Sequence, residues 1–285
     1  MQSIAERNIP LVCTHCKSEL QASDSSFFCS VCKKEYSIKN GIPYFFAISG
    51  KEGNASPDDF IYRVKTFFKK YPAVFLILYH TIAIFTGKTA RGAISTLPST
   101  ARIINVGSGV KVIDDRVINV DVTPAENVHI VASVYELPFK DNSIDAVIAE
   151  SLFEHLLHPS DAAKEIHRVL KPNGIFYITT PFMLGFHSSP DDFYRWTIPG
   201  LKQLLKDFSI NESGVAVGPT GAMVAMLREW LAMLLSFGSP LFYQLWTMLF
   251  MILFIPLNIL DFILVRFSFA STIAHSYYVI GRKTL

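Results

Sequence analysis

The chain lacks several signatures that would place it quickly. Its 285 residues carry a formal net charge of only +2, and its basic residues form no stripe or block. Without that electrostatic footprint, no nucleic-acid partner is expected. The N-terminus, MQSIAERNIPLVC, has no basic stretch followed by an apolar run, so it does not read as a secretory signal. There is no internal repeat, which excludes a solenoid. Cysteine is scarce and local: all four fall between Cys13 and Cys32, which suits a metal clip better than a disulfide scaffold. Charge is missing altogether from Trp230 to Leu260. What is present is apolar material: half the residues are hydrophobic, and the mean hydropathy of +0.32 is high for a soluble enzyme.

The cysteines come as two pairs, Cys13-x2-Cys16 and Cys29-x2-Cys32, twelve residues apart. Each pair can turn two thiolates toward one ion, and two pairs complete a tetrahedral Zn²⁺ site. Two disulfides or free thiols are the alternatives. Four sulfur ligands leave no open position, so a structural zinc ribbon is expected over residues 1–48.

Residues 101–218 alternate short β-branched runs with helical patterns, the mark of a parallel sheet. Arg102-Ile-Ile-Asn-Val-Gly-Ser-Gly-Val110 reads as a buried strand ending in a glycine turn. Gly107 permits the bend, and Gly109 lets the backbone approach a ligand. A second strand, Arg116–Asp121, ends in a carboxylate suited to a ribose. Ile130-Val-Ala-Ser133, Glu136-Leu-Pro-Phe139 and Asp141–Glu150 follow, then Glu165-Ile-His-Arg-Val-Leu-Lys-Pro-Asn-Gly-Ile175 as helix, turn and strand. A dinucleotide fingerprint would require glycine at 112, where Val112 stands, which disfavours NAD(P).

This ordered series resembles the class I S-adenosylmethionine-dependent methyltransferases, in particular their type 11-like branch, over roughly residues 101–210. The strand-like Tyr277–Arg282 matches the family's last strand. The resemblance implies a Rossmann-like seven-stranded α/β sheet formed by 101–220 and 271–285. It also implies that Gly107, Ser108 and Gly109 wrap the methionine part of the donor and that Asp121 holds the ribose, with Val122 beside it among the donor-binding residues. Ser133 and Val134 would flank the adenine, with Glu150 and Ser151 near the sulfonium. Asn105 stands where the family has an acidic residue, and Ser133 where an aspartate often reads the adenine amine. Both departures keep open an alternative reading: a catalytically inactive fold serving as a membrane adaptor or partner subunit. The cysteine segment, with Gly41-Ile-Pro-Tyr44, resembles small zinc ribbons that accompany some methyltransferases.

The loop after the fifth strand, Thr180–Thr197, should overhang the ligand crevice. It would deliver His187, Asp191, Asp192, Tyr194 and Arg195, with His187 as a general base and Arg195 as a clamp on an acceptor anion. A structural Asp192–Arg195 pair is the competing use. Glu154 and His155 read as ordinary residues of the helix after the fourth strand.

The apolar insertion, 221–270, contains two candidate helices, Ala222–Phe237 and Leu241–Leu257. If the last strand rejoins the sheet, both ends of the insertion lie on one side. A single membrane crossing is then excluded, and a hairpin dipping into one leaflet remains. A second apolar segment, 71–87, lies in the linker 49–100 and carries flanking cations. The expectation is monotopic or peripheral attachment to the cytoplasmic face of a membrane, a bacterial inner membrane by the resemblance. The acceptor would be a lipid or lipid-linked glycan, methylated on oxygen. A homo-oligomer interface is the other use for these faces.

Overall fold

The computed structural model describes residues 9–46, 84–187 and 191–284. The apolar segment expected at 71–87 therefore lies outside the described residues up to position 83.

The cysteine segment forms a small antiparallel sheet of β1 (Gln21–Ala22), β2 (Ser26–Phe28), β3 (Glu35–Lys39) and β4 (Ile42–Pro43). Its own core is slight, essentially Tyr36, Phe27 and Phe45 in ring contact. It leans instead on the larger domain. The Val12 amide donates to the Pro138 carbonyl at 2.9 Å, and the Phe45 amide to that of Val131 at 2.8 Å.

Residues 84–100, read from the sequence as the end of a linker, pack on the larger sheet. The Thr86 and Gly87 amides both donate to the Ala216 carbonyl, and helix α1 (Ala90–Ile94) buries Ile94 completely. The sheet itself contains β5 (Ile103–Val106), β6 (Val117–Asp121), β7 (Ile130–Val131), β8 (Ile144–Glu150), β9 (Leu170–Pro181), β10 (Phe208–Val217) and β11 (Ser276–Lys283). Their order is β10-β11-β9-β8-β5-β6-β7. Strands β5 to β9 pair in parallel, while β11 runs antiparallel to both neighbours. This is the seven-stranded Rossmann-like sheet the resemblance implies. Central strands β5 and β8 are nearly continuous apolar runs because helices and loops cover both faces. The chain leaves β5 in one direction to form β6 and returns on its other side as β8. In open α/β sheets, ligands bind beside such a reversal, which here falls at the carboxyl ends of β5 and β8.

Helix α2 (Pro159–Val169) buries Ala162, Ala163, Ile166 and Val169 at helical spacing and draws one charged residue, Glu165, inward with them. Glu165 Oε1 accepts the Leu137 amide at 2.7 Å, and Arg168 grips both Glu165 oxygens while donating to the carbonyls of Leu137 and Phe139. The Leu-Pro-Phe and Arg-Val-Leu-Lys-Pro segments are thus two halves of one lock. Helix α3 (Ile198–Leu204) follows the overhanging loop, capped by the Thr197 hydroxyl accepting from the Gly200 amide.

The insertion lies between β10 and β11. Helix α4 (Pro219–Leu235) and helix α5 (Pro240–Leu253) pack on each other, and a 3-10 stretch (Ile255–Leu260) leads into the short α6 (Asp261–Leu264). Helix α5 stops earlier than Leu257 because Pro256 lacks the amide hydrogen a helix interior needs. The fully buried Asp261 returns the insertion to its starting point. Its two oxygens accept the Thr220 and Gly221 amides at the amino end of α4, where the helix dipole favours an anion. A Cβ at Gly218 would lie 2.4 Å from the Asp261 carboxyl carbon, which accounts for the glycine in Gly218-Pro-Thr-Gly221.

Candidate active site

The donor side is built at the carboxyl ends of β5, β6 and β8. Gly107 (φ +68°) and Gly109 (φ +52°) turn the chain in the left-handed region. A Cβ at Gly107 would strike the Leu152 side chain at 2.7 Å, whereas the corresponding position at Gly109 faces open space. The Gly109 amide donates to Asp121 Oδ2 at 2.9 Å, and the Thr123 amide donates to Oδ1 at 2.9 Å. Asp121 therefore ties the glycine turn to the neighbouring strand and is only partly buried. Asn127 supports the turn from below, donating to the carbonyls of Gly109 and Lys111.

The other donor-side candidates divide. Val122 is exposed, Val134 is buried, and the Ser133 hydroxyl accepts the Tyr135 amide. The Ser108 hydroxyl is buried with no hydrogen-bond partner. Ser151 stands in the left-handed region (φ +50°), its amide held by the Thr179 carbonyl. Asn105 is buried beneath the turn and donates to Asn119 Oδ1 at 3.3 Å, so its amide serves the strand pair before any ligand. Glu150 meets a residue that sequence reasoning did not single out: Lys111 Nζ lies 2.5 Å from its Oε2. Lys111 sits two positions past Gly109, and only the fold shows that it crosses to β8.

The residues expected on the acceptor side gather at the ends of β8 and β9. Arg195 is fully committed. Its Nε donates to the Leu184 carbonyl, Nη1 to Asp192 and the Tyr194 carbonyl, and Nη2 to Asp192 and the Gly185 carbonyl. A guanidinium has five donors, and all five are used, so none remains to clamp an acceptor anion. Arg195 instead orders the loop. The Tyr194 hydroxyl donates to the Leu157 carbonyl and its ring packs on Trp196, again a loop-ordering role. The Asp192 side chain is 1% exposed; burial would raise its carboxyl, but the Arg195 guanidinium and the His187 amide outweigh this and hold it down to about 2. His187 is held by Asp192 through its backbone amide at 2.8 Å and faces Asp192 Oδ2 with Nδ1 at 3.4 Å. Burial lowers its basicity and favours the neutral ring.

Glu154, read from the sequence as a helix residue, is wholly buried in a single 3-10 turn, Phe153–His155. Its carboxyl is pushed up to about 8, chiefly by burial. Both oxygens lack a hydrogen-bond partner. The Nε2 atoms of His155 and His187 stand 3.8 and 3.9 Å from Glu154 Oε1. The Glu154-His155 dipeptide was visible in the sequence. Nothing in its spacing announced that a residue 32 positions later, His187, would face the same carboxylate.

In the ribbon, the four sulfurs lie within 4.8 Å of one another, with Cys13–Cys32 and Cys16–Cys29 each at 3.4 Å. The two knuckles share one backbone pattern. The Lys17 amide donates to the Cys13 carbonyl, the Lys33 amide to that of Cys29, and both lysines adopt positive φ. Four sulfurs so placed fit around one Zn²⁺ at bond lengths of about 2.3 Å after small adjustments. A separate groove of about 900 Å³, between α2 and α3 and bordered by His167, Trp196 and Gln203, includes none of the donor-side residues.

Residues 107–178 match the family model described as a methyltransferase domain. The match begins at the glycine turn and ends within β9, so it takes in Asp121 and Glu150 but not the loop that follows β9. A protein of Mycolicibacterium smegmatis named "Probable S-adenosylmethionine-dependent methyltransferase" is 33% identical over 98 residues, covering 30% of this chain. The chain spans only 38% of that relative's length. Among solved structures, phosphoethanolamine N-methyltransferase 2 of Haemonchus contortus, in complex with phosphomonomethylethanolamine and S-adenosylhomocysteine, is 17% identical with a TM-score of 0.41. That comparison covers 65% of this chain and 49% of the other. A SAM-dependent methyltransferase from Aquifex aeolicus is 18% identical with a TM-score of 0.33, covering 41% and 76%. Likenesses at that level say nothing about the acceptor.

Proposed function

We propose that the chain is an S-adenosylmethionine-dependent methyltransferase that methylates an oxygen of a membrane-associated lipid or lipid-linked glycan at the cytoplasmic face of a membrane. The observation carrying the enzyme reading is the meeting of the glycine turn with Asp121, beside open space at Gly109. A ribose laid there would find a carboxylate already aimed by two amides, with one lone pair on each oxygen still free. Gly107, Ser108 and Gly109 would take the methionine part, Val122, Ser133 and Val134 the adenine end, and Glu150 with Ser151 the region of the sulfonium. When bound, the donor supplies an electrophilic methyl group. The chain's own work is to orient the acceptor in line with it and to manage one proton. His187, neutral and steadied by Asp192, is placed to take that proton. Structural Zn²⁺ on Cys13, Cys16, Cys29 and Cys32 would stabilise the ribbon.

The membrane part of the proposal rests on the insertion. Residues 219–275 contain only Arg228, Glu229, Asp261 and Arg266 as charged groups. Arg228 and Glu229 pair with each other, Tyr243 donates to Glu229, and Asp261 is spent on α4. The outer faces are left bare: Trp230, Met233, Phe237, Leu241, Ile259 and Phe269 are all exposed. So many exposed large apolar side chains on one insertion favour an interaction site, and the hairpin return favours one leaflet. Among the described residues no single helix is long and apolar enough to cross a membrane; one pair, Pro240–Leu253 and Ile255–Leu264, would suffice by length but bends by 42°. The test is incubation of the detergent-purified protein with labelled donor and total membrane lipid extract. Label should enter the lipid fraction. Donor binding without lipid labelling would refute the acceptor, and absence of donor binding would refute the enzyme.

A further inference from the structure

The buried Glu154 calls for an explanation. A carboxyl group with no exposed surface and neither oxygen hydrogen-bonded is costly to bury, and in a native protein such a group commonly marks an ion or water. The two imidazole nitrogens nearest it, at 3.8 and 3.9 Å, are too far away for hydrogen bonds. They are, however, near the spacing of ligands that share a metal ion, since all three ligand atoms fit within 4.8 Å.

What surrounds the imidazoles points the same way. A metal-ligating histidine generally donates its second ring N–H to a carbonyl or carboxylate, which aims the other nitrogen's lone pair at the ion. His155 Nδ1 lies 2.5 Å from the Asp191 carbonyl oxygen. His187 Nδ1 faces the Gly185 carbonyl at 3.3 Å and Asp192 Oδ2 at 3.4 Å. Arg195 Nη2 also lies 3.4 Å from that nitrogen, but its hydrogens already serve Asp192 and Gly185. Two acceptors against one occupied donor place the hydrogen on Nδ1. Both rings therefore present a bare Nε2 toward Glu154. The Phe193 amide, bonded to the Glu154 carbonyl at 2.7 Å, holds the loop against the turn.

We propose that Glu154, His155 and His187 hold a divalent first-row transition-metal ion, with its open coordination positions facing the carboxyl ends of β8 and β9. Two imidazoles and one carboxylate suit Zn²⁺, Mn²⁺ or Fe²⁺. Three protein ligands, unlike the four sulfurs of the ribbon, leave room for another oxygen. What the ion does there rests on the methyl-transfer reading: the acceptor's hydroxyl binds it and loses its proton to water. The oxygen lone pair then forms the bond to the methyl carbon as the carbon–sulfur bond breaks, its electrons staying on sulfur. His187 then steadies the ion rather than taking the proton.

The test counts metal. Full-length protein in detergent is stripped with a chelator, reloaded with Zn²⁺ and assayed by elemental mass spectrometry. Wild type should bind one more equivalent than Glu154→Gln and His187→Asn, while a Cys16→Ser/Cys29→Ser variant should keep it. Co²⁺ in a variant with Cys13, Cys16, Cys29 and Cys32 all replaced by serine should give visible ligand-field bands without sulfur charge transfer. Equal metal content in wild type, Glu154→Gln and His187→Asn would overturn the proposal. Near-ultraviolet circular dichroism checks that the variants fold, and the milder His155→Gln provides a third measurement. Donor calorimetry runs separately. A second ion without donor binding refutes the methyltransferase reading alone, and donor binding with no second ion refutes the metal alone.

Discussion

Replacing Asp121 by Asn probes the centre of the proposed donor site with almost no change in shape. The carboxylate accepts from Gly109 and Thr123, both at 2.9 Å, and offers one further lone pair on each oxygen to a ribose. Asn keeps one acceptor oxygen and presents an NH2 in place of the other. That NH2 meets either the Gly109 or the Thr123 amide as donor against donor. It also removes the charge from two hydrogen bonds to the sugar, each worth about 1.5–3 kcal/mol. The combined loss of about 3–5 kcal/mol corresponds to a donor affinity lower by roughly a hundredfold to a few thousandfold. Isothermal calorimetry with S-adenosylmethionine reads this directly. Asn127→Ala is the control: it loosens the same turn through the Gly109 and Lys111 carbonyls but touches no charge. Its effect should stay near about 1 kcal/mol, tenfold or less. If Asp121→Asn binds within threefold of wild type, or no worse than Asn127→Ala, the ribose assignment is wrong.

Two further outcomes concern stability. Arg168→Met should destabilise the fold by about 3–5 kcal/mol at pH 7, because it leaves the buried Glu165 with only the longer Lys17 contact as an ion pair. Burial alone would raise the Glu165 carboxyl, but Arg168, helped by Lys17, outweighs it and holds it below the ordinary range. A carboxyl depressed in the folded state contributes stability above its unfolded value, and that contribution fades as pH falls through the folded one. Urea unfolding should therefore show the variant's deficit shrinking from pH 7 to acid; a deficit that does not change with pH refutes the pairing. With the proposed Zn²⁺ on the four sulfurs, Cys29→Ser should abolish metal binding there and leave residues 9–46 open to protease, since the segment's core is little more than three aromatic rings. A ribbon equally resistant with and without metal would show that docking on Pro138 and Val131 suffices.

The order of the elements was legible from local pattern: the buried run Ile103–Val106, the glycine turn after it, Asp121 at the end of the next strand, and the Pro-Asn-Gly turn before β9. Each of these depends on neighbours in sequence, where propensity, periodicity and left-handed backbone requirements act. The cysteine pairs were legible for the same reason, and so was the return of the insertion, since a last strand that rejoins its sheet forces both ends to one side. Tertiary structure decided what distant segments do to one another. It used all five Arg195 donors within its own loop, turned Asn105 toward Asn119, and carried Lys111 to Glu150. It also closed Asp261 onto the start of α4 and sealed Glu154 against two histidines. Ionisable side chains acquire their roles from burial and from partners far along the chain, and neither is a property of a short stretch of residues.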